Sequence, residues 1–362
     1  MKVRTINGCQ RASNDEPIRS FCTGMFPEKA TVLTFILFLL PGILSTGPVC
    51  TGPGTPNETR SPVLPSDSSG NESRPNVSHL PLRILTWNIS LREFLREDRA
   101  REVRRVILES KADVIAFQEM TPEFYRLLSS DAKFSENYRL VPGNPAHVKG
   151  RLVLATRLNV VESRYIRLPG RMGRYAQKAV FQLEGGQDEA DSGSSKTPGD
   201  IAIRFSIMNL HLESYLEDGA IRASQIRRIA PFIQAPALVL GDFNFGDGPE
   251  ANLERQAIPE GYRDLWKERY KVDPGLTWNQ EENPLSLMFK FDGEKSRRLD
   301  YILLFEESWR LHEIQMLGRR KVLEYRGKPI PPSDHYAVMA DLIVPRSNPV
   351  SKEEPDKQST SD

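Results

Sequence analysis

The chain has 362 residues, too many for one small module and enough for a catalytic domain of about 250 residues with an extension. Hydrophobic residues make up 39% and charged residues 27%, which supplies a sizeable core and excludes disorder throughout. Lys and Arg number 49 against 48 Asp and Glu, and a net charge of +1 gives no global attraction for a polyanion, although a local patch stays open. Cys9, Cys22 and Cys50 all precede the main body of the chain, which argues against a disulfide-stapled core, a cysteine nucleophile and a zinc–thiolate site.

Near the start, residues 32–44 read VLTFILFLLPGIL, and no charge falls between Lys29 and Glu58. A run of 13 residues fits the apolar core of a signal peptide, whereas a membrane span needs about 20. A cleaved export signal, giving a secreted or periplasmic chain, is the favoured expectation, with a retained N-terminal membrane anchor as the alternative, and both are preferred over a cytosolic protein. Met25 would give that signal a more regular start than Met1. Residues 51–80 are dense in Pro, Ser, Gly and Asn and predict a disordered linker. The expected organisation is therefore an extension over 1–50, a linker over 51–80, a catalytic domain over 81–345 and a flexible tail over 346–362. Within the domain, residues 185–200 have loop composition.

From residue 82 onward, strand and helix patterns alternate. Residues 82–87 and 114–117 are short apolar runs of strand type. Between them, 98–110 predicts a helix with Ala100, Val103 and Ile107 on one face and Arg101, Arg104 and Arg105 elsewhere. Residues 201–208 alternate apolar and mixed positions as a strand does, and 219–234 predicts a helix burying Ile226, Ile229 and Ile233. Strand-like runs at 237–240, 301–304 and 336–344 complete an α/β pattern rich in sheet.

Polar residues cluster where these runs stop or start. Asn88, Gln118-Glu119, the Asn209–Ser214 segment with His211, and Asp242–Asn244 follow strands; Asp300 and Ser333-Asp334-His335 precede them. In an antiparallel pair the start of one strand lies beside the end of its neighbour, so all six clusters can share one sheet edge. Glu119, Asp242, Asp300 and Asp334 would supply hard oxygen donors with no competing thiolate, a set suited to Mg²⁺ or Mn²⁺ and phosphate oxygens. His335, with Asp300 available to hold its ring, could stabilise a phosphate or move protons.

The segments TWN (86–88), QE (118–119), GDFN (241–244), LDYI (299–302) and SDH (333–335) resemble the endonuclease/exonuclease/phosphatase, or deoxyribonuclease I-like, superfamily in order and spacing. Within it the motifs are most similar to the tyrosyl-DNA phosphodiesterase 2 branch, through TWNI, ADVIAFQE, HLES, LTW and PSDHY. The chain departs from that branch after Ile89, where Ser90-Leu91-Arg92-Glu93 replaces an Asp-Gly turn. The resemblance implies an α/β (α+β) four-layer β-sandwich of two packed mixed sheets with helices outside. It also implies a divalent-metal-dependent hydrolase of phosphodiesters or phosphomonoesters, with nucleic acid among the possible substrates, and a monomer.

Carried onto this sequence, the resemblance makes Glu119 the main metal ligand, with Asn88 at metal-bound water or phosphate and Asp334 orienting the site or holding a second metal. Asp242 would orient or deprotonate the attacking water and Asn244 would help place it. Asp300 would pair with His335 at the scissile phosphate, and His211 would be a second phosphate contact. Plainer readings stand beside these: Asn88 also opens an N-x-S sequon, and Trp278 is as much a core residue as a substrate platform. Arg174, in the acid-free stretch from Arg164 to Lys178, is expected to hold phosphate, with a charged edge strand as the alternative. Arg319, Arg320, Lys321, Arg326 and Lys328 form a second candidate wall. A phosphatase or sphingomyelinase-like lipid phosphodiesterase, and an inactive binding relative, remain alternatives to the nuclease.

Overall fold

The computed structural model describes residues 79–184, 202–246 and 251–346. The apolar run at 32–44, the linker up to residue 78, the 185–200 insertion and the tail from 347 lie outside the described residues. No helix among the described residues is long and apolar enough to cross a membrane.

The chain begins with β1 (His79–Asn88), α1 (Arg96–Ser110), β2 (Val114–Gln118), α2 (Pro122–Ser129), α3 (Ala132–Asn137), β3 (Arg139–Val141) and β4 (Val153–Thr156). Next come β5 (Asn159–Arg167), β6 (Tyr175–Leu183), β7 (Ile203–His211), α4 (Gly219–Ile229), β8 (Ala237–Asp242), α5 (Ala251–Ala257), β9 (Arg263–Asp264) and α6 (Leu265–Arg269). The chain closes with α7 (Pro284–Phe289), β10 (Asp300–Phe305), β11 (Arg310–Leu317), the hairpin β12 (Leu323–Tyr325) and β13 (Lys328–Ile330), and β14 (Ala337–Pro345). One sheet has the order β11-β14-β1-β2-β4-β3 and the other β5-β6-β7-β8-β10-β9. Both are mixed, because β1–β2 and β7–β8 are parallel pairs while their outer neighbours run antiparallel.

The sheets pack face to face. Leu82, Ile84, Val114 and Ala116 of the first meet Phe181, Phe205, Ile207, Leu240 and Ile302 of the second. On the outer face of the first sheet lie α1, α2 and α3, through Val103, Ile107, Phe124 and Phe134; α4 and α5 cover the second, through Ile226, Ile229 and Ala257. This is the expected four-layer arrangement.

Two boundaries differ from expectation. His79 and Leu80, read as linker, belong to β1, because the β14 ladder continues to Leu80↔Val344 and His79↔Pro345. The helix read as 219–234 stops at Ile229 and becomes a 3-10 turn over Ala230–Phe232. Pro231 has no N–H to donate, so the α-helical hydrogen-bond ladder stops there.

Strand parity carries polar groups to one edge. Side chains two apart share a face, so the stripe that packs the core also decides what emerges at the strand end. It runs Ile84–Thr86–Asn88, Ala116–Gln118, Ile207–Asn209–His211, Leu240–Asp242 and Ile302–Asp300. Register aligns these ends: Asn88 pairs with Gln118, His211 with Asp242, and Asp300 with Asp242. A layer of buried amides separates the core from that edge, with Gln118 Nε2 donating to Thr86 Oγ1 (3.0 Å) and Asn209 Oδ1 (2.8 Å).

Gly241, just before Asp242, has φ +134°, and a Cβ there would lie 2.1 Å from the Leu210 carbonyl oxygen. The β7–β8 approach therefore requires glycine. Gly241→Ala is expected to destabilise the full chain by roughly 2–5 kcal/mol through strain and overlap with backbone. Urea unfolding checks this; an unchanged midpoint would contradict the close approach.

Candidate active site

Asp242 closes β8 and is 1% exposed. Its Oδ2 accepts from Asn88 Nδ2 at 2.9 Å and its Oδ1 from the Asn244 backbone N–H at 3.0 Å. Asn244 has φ +51°, which turns the chain back at once, and its Nδ2 donates to the Leu212 carbonyl at 3.2 Å. Burial pushes the Asp242 carboxyl up to about 7 against the opposing pull of His335. The Asn88 sequon reading fails, because Asn88 is 1% exposed and spends its amide on Asp242.

His335 Nδ1 lies 2.9 Å from Asp300 Oδ2, and its Nε2 lies 3.8 Å from Asp242 Oδ2. Burial works against a charged ring, but Asp300 and Asp242 outweigh it and push the imidazole up to about 10. His335 is therefore an imidazolium at neutral pH, with Nδ1–H given to Asp300 and Nε2–H free for an anion. Trp278 packs edge-on against its ring, with centroids 5.1 Å apart, and is 6% exposed. Trp278 is thus buried, as the core reading expected, and it also lines the cleft.

The SDH segment is fixed from below. Ser333 Oγ donates to the Asn88 carbonyl (2.7 Å), and Asn283 Nδ2 and Ser286 Oγ donate to the Asp334 carbonyl at 3.1 and 2.6 Å. Thr277 Oγ1 accepts the backbone N–H groups of Leu299 and Asp300.

His211 is the opposite of His335. Burial, with the Arg174 and His335 charges alongside, holds its pKa well below the usual imidazole value. Arg174 Nη1 lies 2.8 Å from His211 Nδ1, and a guanidinium only donates. His211 Nδ1 must then be the acceptor, which leaves the proton on Nε2, 3.4 Å from Asp242 Oδ2. Arg174 Nη2 also donates to Ser214 Oγ, so this arginine is locked in place beside the cleft.

Glu119 follows β2 in a left-handed conformation, φ +60°, and its Oε2 accepts the Leu91 N–H at 2.6 Å. Burial and the neighbouring Asp334 charge raise its pKa. Asp334 accepts from Ser90 Oγ at 3.2 Å. Among the described residues neither carboxylate forms an ion pair with Lys or Arg, and both line the same cleft of about 450 Å³ as Asn88. Two neighbouring carboxylates with an amide oxygen and no direct ion pair to Lys or Arg fit a hard divalent cation, although buried Arg99 offsets part of their charge. Asp242, Asp300 and His335 also bring potential ligand atoms within 4.8 Å of one another. That trio suits a cation less well, since the His335 nitrogen facing Asp300 already carries the shared proton.

Every sequence-selected site residue except Asp300 lines this cleft, and Asp300 reaches it through His335. The basic segments fare differently. Arg164 stacks on Phe232, Lys178 donates to the Phe232 carbonyl and Arg171 pairs with Asp218, so of the basic residues in that stretch Arg174 alone lines the cleft. None of Arg319, Arg320, Lys321, Arg326 and Lys328 lines it, which removes the second wall.

A model of the endonuclease/exonuclease/phosphatase family matches residues 85–335, most of the chain and all of the strand ends just described. The chain belongs to this family. No curated protein sequence matches it significantly. Among solved structures, D. rerio TDP2 complexed with single-strand DNA product superposes with a TM-score of 0.54 at 22% identity, covering 72% of this chain and 98% of that one. Truncated Caenorhabditis elegans TDP2 gives 0.54 at 19% identity over 73% and 98% of the two chains. A family member from Bacteroides thetaiotaomicron gives 0.52 at 14% identity over 74% and 99%. At these identities the likeness is one of fold.

Three supports of the site escaped the sequence reading. Arg99, fully buried in α1, donates to the carbonyls of Ile89, Ser90, Arg92 and Pro332, tying the strand-end loops together. Arg222, also fully buried, pairs with Glu254 and holds the carbonyls of Glu213 and Tyr215. Glu213 Oε1 accepts the N–H groups of Arg171 and Met172 at 2.6 and 2.8 Å and so sets the loop that carries Arg174. An arginine in a helix and a glutamate in a turn look like surface charges; the burial that makes them structural is a tertiary fact. Glu213→Ala is expected to raise amide hydrogen exchange at Arg171 and Met172 by at least about tenfold, since two charge-assisted bonds are lost. Unchanged protection there would show that the loop is held otherwise.

Proposed function

We propose that the chain is a divalent-cation-dependent phosphodiesterase, with Glu119, Asn88 and Asp334 holding Mg²⁺ or Mn²⁺ and nucleic acid as the favoured substrate class. The observation that carries this reading is the pair Asp242 and His335. These are a buried carboxylate whose pKa lies near neutrality and a cationic imidazole with a free N–H, facing one cleft. A base and an anion-stabilising donor are what in-line hydrolysis of a phosphate ester needs. Nucleic acid is favoured because the D. rerio TDP2 of the same fold is in complex with a single-strand DNA product.

In this reading Asp242 takes the proton of the attacking water, which Asn244 helps to place. His335 donates through Nε2 to the phosphate oxygen as negative charge builds, and Asp300 keeps the ring charged and aligned. Arg174 and the Nε2–H of His211 add positive potential on the opposite side. The divalent cation, when bound, neutralises phosphate charge and makes the phosphorus a better electrophile.

A second reading has one observation behind it. Leu91, Met172 and Phe291, each about two-fifths exposed, line the cleft mouth and offer apolar surface to a lipid phosphodiester. Purified full chain with Mg²⁺, assayed on plasmid DNA, RNA, 5′-tyrosyl DNA, sphingomyelin and inositol phosphates, decides between them. Turnover of sphingomyelin alone would favour the lipid, and no turnover of any substrate would favour an inactive binding relative.

Glu119→Gln is expected to lower kcat by about 100-fold or more, since a neutral amide holds the cation weakly. EDTA should silence the wild type and Mg²⁺ or Mn²⁺ restore it. His335→Ala should cost roughly 10²–10³ in kcat while cation binding persists. Wild-type rates from both variants, or full activity in EDTA, would refute the assignment.

The pH profile supplies a separate check. Asp242 acts ionised, so activity falls as pH drops through about 7; His335 acts protonated, so it falls again as pH rises toward about 10. Asp300 is the main group raising His335, so Asp300→Asn lowers that pKa. The alkaline limb of kcat/KM should then move to lower pH by about one unit or more. A limb that stays put would mean that Asp300 does not govern the ring.

A further inference from the structure

A second pocket, of about 400 Å³, lies on the other side of the two segments that bridge through Trp278 and Arg297. Leu276 and Ser296 line it, whereas Trp278 and Glu294 from the same segments line the active-site cleft. Its charged lining is almost wholly cationic: Arg255, Lys267, Lys271, Arg297 and Arg298, against the single carboxylate of Asp273. That carboxylate accepts the Gly275 N–H at 2.8 Å, and Arg298 is already paired with Asp264. Arg255, Lys267 and Lys271 are exposed, and among the described residues none has a side-chain ion pair.

Arg297 forms a fixed, buried part of the pocket wall. It is 5% exposed; Nη1 donates to the Phe245 carbonyl at 2.7 Å and Nη2 to Glu294, while Nε has no partner among the described residues. Three exposed cations without ion pairs round one concavity call for an anion with several acceptor oxygens. A volume of this size admits a small molecule.

We infer that this pocket is a second anion site, distinct from the hydrolytic cleft, that takes the phosphate group of a small phosphorylated molecule. Lys267 and Lys271 from α6 and its following turn, with Arg255 from α5, contact the phosphate oxygens. The site owes nothing to the catalytic residues, so it stands or falls apart from the proposed hydrolysis.

Calorimetric titration of the full chain with inorganic pyrophosphate, without divalent cation, tests it. The wild type should bind at two sites, one in the cleft and one here. Lys267→Ala/Lys271→Ala should weaken one site by about tenfold or more through lost charge-assisted hydrogen bonds and leave the other. Arg174→Ala should affect only the cleft site, and Lys267→Arg/Lys271→Arg should retain both. Repeating the titration with adenosine 5′-monophosphate separates the sources: tighter binding lost in the double alanine variant indicates a phosphate monoester, equal affinity indicates free phosphate. A single site abolished by Arg174→Ala, or binding indifferent to Lys267→Ala/Lys271→Ala, would overturn the inference.

Discussion

The site depends on the burial of one carboxylate. Asp242 ends a central strand between two packed sheets, where an ionised side chain is costly unless its surroundings replace water. Asn88 from the facing sheet, the Asn244 N–H, and the two histidines supply that replacement. Each group belongs to a different element, so holding Asp242 in place requires both sheets in correct register. The cluster is in turn what a phosphate ester would meet on entering the cleft.

The two histidines show how position sets charge. Both are buried within 4 Å of Asp242, yet they differ in protonation. His335 has a second carboxylate, Asp300, on its other nitrogen and is held cationic; His211 has a guanidinium there and is held neutral. One carboxylate is thus flanked by a charged donor on one side and a neutral one on the other. Burial, with the Asp300 and Glu119 charges, still raises Asp242 to about 7 against the pull of His335 and the Asn88 hydrogen bond.

Rigidity comes from beneath. The left-handed residues Ser90, Glu119 and Asn244 all lie in strand-end turns, where the chain must reverse sharply while keeping its side chain at the edge. Arg99 and Arg222 satisfy the carbonyls that such turns expose, each with several donors in a fixed planar fork. Lysine could not span the same set.

The sequence by itself determined the family, the strand–helix order and the chemical residues at the strand ends, because period-2 patterning and short motifs are local. It placed Asn88, Glu119, Asp242, Asp300 and His335 at one edge by strand direction alone, and the registers agree. It singled out Arg174 among the five basic residues of its stretch, but held no physical ground for passing over the other four. Arg164, Arg167 and Lys178 lie on β5 and β6, whereas Arg171 and Arg174 lie in the loop between them, and which of the five meets the cleft depends on how that loop is held against Glu213, His211 and Ser214. The burial of Arg99, Arg222 and Glu213, the opposite charge states of the two histidines and the cationic pocket behind Arg297 were likewise decided only by tertiary structure. Each arises where segments distant in the chain meet, and desolvation and charge–charge coupling depend on distance in space rather than in sequence.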